Sequence, residues 1–92
     1  MLTRQKVYVD VNITYRADGT AIPKTLTLPN GVMYQIDGLL NKRYAKSQTV
    51  KGEGIRYTIL IKGKQKYLYD EGKGKWFVEA KKPVQEWWEE YY

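Results

Sequence analysis

Apolar and polar side chains alternate without a break from Lys6 to Tyr15. Val7, Val9, Val11, Ile13 and Tyr15 fall on one side of an extended chain; Tyr8, Asp10, Asn12 and Thr14 fall on the other. A period of two predicts a strand with one face on a core. Residues 16–20 then form a turn, in which Asp18-Gly19 supplies the positive-φ position. Residues 24–28 alternate again, Leu26 and Leu28 inward against Thr25 and Thr27. Pro29-Asn30-Gly31 closes a hairpin, Pro presetting φ and Gly taking the left-handed position. The chain returns over 32–37, with Val32, Tyr34 and Ile36 on one face. Residues 38–47 read two ways: Leu39, Leu40, Arg43 and Tyr44 line one side of a short helix, or the segment is a bent strand. Asp37-Gly38 favours a turn followed by a short irregular or strand segment.

The densest pattern runs from Gly54 to Glu79, GIRYTILIKGKQKYLYDEGKGKWFVE. It predicts three antiparallel strands joined by two glycine-bearing turns. A two-residue turn at Gly63-Lys64 sets Lys62 opposite Gln65, Leu60 opposite Tyr67 and Ile59 opposite Leu68. A four-residue loop at Glu71–Gly74 sets Asp70 opposite Lys75, Tyr69 opposite Trp76, Leu68 opposite Phe77 and Lys66 opposite Glu79. The opposite charges of both end pairs support that register. One face then carries Ile55, Tyr57, Ile59, Ile61, Leu68 and Phe77, a core. The other carries Arg56, Leu60, Lys62, Tyr67, Tyr69, Trp76 and Val78, which is too apolar to be left bare.

The last ten residues, PVQEWWEEYY, place Val84, Trp87, Trp88 and Tyr91 at the spacing of one helix face. Ten residues are too few to hold a helix alone in water. Glu89 and Glu90 also oppose the helix dipole at that end. A helix here depends on packing against something else.

Composition narrows the chemistry. Ninety-two residues make one small domain. There is no cysteine and no histidine, which removes disulfides, thiolate chemistry and the commonest metal ligand. The expectation is a protein with no catalytic residues, cofactor or metal, soluble and cytoplasmic, with no signal peptide, spanning helix or membrane partner. The net charge is +6 and unevenly placed. Between Lys42 and Lys82 twelve Lys and Arg face four Asp and Glu, while the stretch from Pro83 on carries three Glu and no base. Such a basic body attracts anionic partners; the plainer account is solubility.

The pairs Gly52/Gly54 and Gly72/Gly74 lack the spacing of a phosphate-binding loop and read as turns. The aromatic face is the sharper signal. Tyr67, Tyr69 and Trp76 lie together in the expected register, flanked by Arg56 and Lys62, with Lys64, Lys73 and Lys75 in the turns. Rings that stack on bases and cations that track phosphates are how single-stranded DNA or RNA is held. The competing account makes the same rings a second core. It is then covered by the rest of the barrel, by a partner or second copy, or by Trp87, Trp88 and Tyr91 of the acidic-aromatic tail.

GVMYQID, GIRYTILIKGKQKYLY and WFVEAKK together resemble a family of short uncharacterised bacterial proteins with the same order of tyrosine, glycine and tryptophan motifs. The resemblance spans about residues 7–82. Its motifs are core and turn residues, so it implies a shared β fold and assigns no functional residue. The expected fold is all-β, about six antiparallel strands in a meander curled into a small SH3-like barrel over residues 1–82, followed by the tail at 83–92. The expected function is a non-catalytic binding module, for nucleic acid or, alternatively, for a protein partner or self-association.

Overall fold

The computed structural model describes residues 5–46 and 53–80. The expectations for Trp87, Trp88 and Tyr91 lie outside the described residues. Within them the chain forms seven strands: β1 (Gln5–Tyr15), β2 (Ala21–Thr27), β3 (Met33–Gln35), β4 (Gly38–Lys46), β5 (Glu53–Ile61), β6 (Lys64–Gly72) and β7 (Lys75–Ala80). All neighbours are antiparallel, in the order β3-β2-β1-β7-β6-β5-β4. Two meanders, β1-β2-β3 and β4-β5-β6-β7, are thus sewn together by β1 lying against β7. The ambiguous stretch after Asp37-Gly38 is a nine-residue strand, β4, which brings the count to seven. Among the described residues no helix is long and apolar enough to cross a membrane.

β1 serves both meanders in turn. Gln5 to Val9 pair with β7, and Asp10 to Tyr15 pair with β2. The connection from β3 to β4 ties the sheet again, because the Ile36 amide donates to the Lys24 carbonyl and the Asp37 amide to the Leu60 carbonyl. The sheet therefore curls into a half-barrel. Its inner face gathers Val7, Val9, Leu26, Leu28, Ile36, Tyr57, Ile59, Ile61, Leu68, Trp76, Val78 and Ala80. Of the residues expected inward in the first three strands, Val7, Val9, Leu26, Leu28 and Ile36 lie on this face with Val11, Ile13 and Tyr34 packed against it, whereas Tyr15 and Val32 at the strand ends are exposed.

Two registers differ from expectation. Between β5 and β6 the turn residues are Lys62 and Gly63, both at positive φ (52° and 81°), a primed turn that suits the strand twist. Tyr57 therefore sits opposite Leu68, and Thr58 opposite Tyr67, two places from the expected pairing. A shift of two keeps every side chain on its own face. Between β6 and β7 the turn is Lys73-Gly74, again both at positive φ (56° and 76°). A bulge at Glu71 follows, so that Asp70 faces Trp76 and Tyr69 faces Phe77. That is a shift of one, which turns β7 over. Trp76 and Val78 point into the core, where they sit opposite Val9 and Val7. Phe77 and Glu79 point outward, opposite Tyr8 and Lys6. The shift also separates Lys66 from Glu79: Lys66 is opposite Ile59 on the core side, and Glu79 is opposite Lys6 on the outer side.

Candidate nucleic-acid interface on the outer face

The outer face of β5, β6, β7 and β1 is a row of rings and cations. On β5, the Arg56 guanidinium lies over the Tyr67 ring of β6 at 4.4 Å. Its Nε is buried without a hydrogen-bond partner, while the guanidinium also acts on the Tyr69 hydroxyl of the directly opposed position. Tyr69 and Phe77 stack face to face, centroids 4.7 Å apart and planes within 1°. Directly opposed strand positions set that spacing. Tyr8 of β1 then meets Phe77 edge to face at 6.3 Å and 77°. The Lys6 ammonium sits over Phe77 at 4.8 Å and over Tyr8 at 5.4 Å, within reach of cation–π attraction.

Two carboxylates pin the row. The Tyr69 hydroxyl donates to Glu79 Oε1 at 3.0 Å. Burial first, and then the Glu79 charge, push the Tyr69 phenol up to about 12. Glu71 is the extra residue of the bulge, and its carboxylate reaches across β7 to β1. Lys6 Nζ donates to its Oε2 at 2.6 Å and the Tyr8 hydroxyl to its Oε1 at 2.7 Å. These bonds, that from Lys6 foremost, hold the Glu71 carboxyl below its ordinary value. The same bond to Glu71 raises Lys6.

The structure sorts the expected site residues into three groups. Arg56 and Tyr67 are in contact, with Tyr69 beside them, but Tyr69 is 1% exposed and packed on Phe77. Lys73 and Lys75 are exposed at the β6–β7 turn, and Lys75 Nζ lies 5.9 Å from the Tyr8 ring centroid. Lys62 and Lys64 stand at the other end of β6, roughly 30 Å away at about 3.3 Å per residue. Trp76 belongs to none of these. It is 5% exposed, part of the inner core, and 5.2 Å from the Tyr57 ring, so it leaves the outer row.

Sequence reasoning missed Lys6, Tyr8 and Phe77. The β1–β7 pairing that recruits Lys6 and Tyr8 is non-local, and Phe77 arrives only through the bulge. The available signal was Tyr8 itself, an aromatic on the polar side of an alternating strand. Tyr8 is 47% exposed and is the most open ring of the row. Among the described residues no cluster of three or more Asp or Glu side chains is placed to hold a metal ion. Comparison with protein-family models, with curated proteins and with solved structures finds no match.

Proposed function

We propose that the protein is a non-catalytic binding module for single-stranded nucleic acid, DNA or RNA, that works through this outer face. Tyr8 and Tyr67 offer rings to bases, with Lys6, Arg56, Lys73 and Lys75 beside them for phosphates. Lys62 and Lys64, about 30 Å along β6, lie outside this row. The observation that carries the reading is Tyr8: an exposed ring fixed by Glu71, with the Lys6 and Lys75 ammonium groups 5.4 and 5.9 Å from its centroid. Stacking platforms lined by cations bind strands with little sequence preference and strong salt dependence.

The test is fluorescence anisotropy of the full chain with labelled single-stranded and duplex oligonucleotides, at low and at moderate salt. Micromolar binding of single strands that weakens steeply with salt is expected. Replacing Lys73 and Lys75 together by Gln should lower the slope of log K against log salt by about 1.4, at roughly 0.7 per phosphate contact on a single strand. No binding at low salt by the folded protein overturns the reading.

A second reading rests on a different observation. Phe77 and Tyr69 are 0% and 1% exposed, although they sit on the outer side of the sheet. The open flank of the row, Tyr8 foremost at 47% exposed, is then the apolar surface that a protein partner or a second copy would cover. Sizing over a range of concentrations, with little response to salt, would favour it.

A further inference from the structure

Where β1 leaves β7 to join β2, the sheet opens into a cavity of about 250 Å³ lined by Tyr8, Val9, Asp10, Gly74, Lys75 and Trp76. Its lining divides by chemistry. Val9 and Trp76, buried core residues of the inner face, close its floor. Tyr8 contributes an aromatic ring whose hydroxyl is tied to Glu71. Lys75 contributes an exposed cation, and Asp10 an exposed carboxylate. At Gly74 nothing stands within 4 Å of where a Cβ would be, so the turn leaves the mouth open. The volume is below that of a pocket for a drug-sized ligand and suits one planar ring system.

We propose, on the strength of the nucleic-acid reading above, that this cavity is a subsite for a single unpaired guanine. The base stacks on Tyr8, its phosphate meets Lys75, and its Watson–Crick edge meets Asp10. The selectivity follows from donor and acceptor counting. A carboxylate accepts only, through two oxygens. Guanine offers two adjacent donors on that edge, N1–H and the N2 amino group. Cytosine and adenine offer one donor beside a ring-nitrogen acceptor, which opposes the second oxygen. Thymine and uracil offer one N–H between two carbonyl oxygens. An edge contact of this two-point kind discriminates between bases, whereas the ring stack and the lysine do not.

The experiment compares two single-stranded 12-mers with the full chain by anisotropy at low salt: all-thymidine, and thymidine with one central guanosine. The guanosine-bearing strand should bind at least about five-fold tighter. Asp10→Asn should abolish that difference. Asp18→Asn, at the tip of the β1–β2 turn, removes the same charge and should preserve it. Equal affinity for the two strands, or a preference that survives Asp10→Asn, overturns the subsite while the broader reading stands. Failure to bind either strand overturns both.

Discussion

Lys62-Gly63-Lys64 and Lys73-Gly74-Lys75 are the same tripeptide, and each turns the chain with a lysine and a glycine at positive φ. Their strands nevertheless leave differently. After the first turn the ladder runs without interruption from Ile61–Lys64 to Ile55–Asp70. At the second, Glu71 is set aside between Asp70 and Gly72, and the faces of β7 follow from that one residue. A turn alone therefore does not decide which side chains reach the core; turn and bulge together do. The bulge also has a partner on the neighbouring strand. A Cβ on Gly54 of β5 would lie 2.1 Å from the Asp70 carbonyl oxygen and 3.1 Å from the Glu71 Cα. Only glycine lets β5 pass that close.

One-residue deletions break the comparison most sharply. Removing Gly63 leaves a loop too short for the existing pairs. The strand must slip by one, which sends Leu68 outward and Tyr69 inward. No cooperative unfolding transition is expected, because a core turned inside out exceeds the stability of so small a domain. Removing Glu71 keeps Asp70 against Trp76 and Tyr69 against Phe77, and should leave a folded protein weakened by about 1–2 kcal/mol in urea titration. Equal damage from both deletions would refute the role given to the bulge.

Single substitutions come next. Gly54→Ala should cost about 3 kcal/mol through overpacking against backbone, whereas Gly63→Ala, which meets nothing within 4 Å, should cost about 1–2 kcal/mol through its left-handed φ alone. Tyr69→Phe withdraws the donor from buried Glu79 and should cost about 1–2 kcal/mol. Its pH dependence is specific. The folded phenol titrates at about 12 instead of the ordinary 10, so the Tyr69 contribution is full below pH 10. It declines as the pH rises toward 12, where the unfolded chain ionises first. Denaturant melts of wild type and Tyr69→Phe should therefore differ at pH 9 and converge at pH 11.5.

The smallest effect tests the clamp on the bulge. Glu71→Gln should cost about 0.5 kcal/mol at neutral pH, as expected for a partly exposed pair. With Glu71 lowered and Lys6 raised, that contribution vanishes on two sides. It goes as the pH falls through the folded Glu71 value, and as the pH rises through the folded Lys6 value. Stability against pH, subtracted between wild type and variant, should show the plateau between them.

Much of this architecture was legible in the residues. The alternation in β1, β2, β3 and β5 assigns their faces directly, and those assignments match the inner core except at the strand ends, where Tyr15 and Val32 are exposed. The turn positions were harder, since a lysine at positive φ is uncommon and Gly63-Lys64 looks cheaper than Lys62-Gly63. A displacement of two residues left no mark on the face assignments. The bulge at Glu71 did, because it depends on Gly54 of another strand and on Lys6 and Tyr8 of a third, and the local pattern around DEGKGK carries no trace of them. That single residue explains why Trp76 was placed on the outer row and Phe77 in the core. The Arg56–Tyr67 contact lies within one hairpin and was within reach; the part of the row built by β1 was not.

The position of β1 between the two meanders bears on how the chain folds. Each meander closes short loops, which form early and at small entropic cost. The β1–β7 seam joins residues about seventy apart, so it is the contact that a partly folded chain acquires last. Until it does, β1 and β7 each present an unpaired edge with apolar neighbours. The seam is thus the point at which an incompletely folded chain is most exposed to strand exchange with another copy.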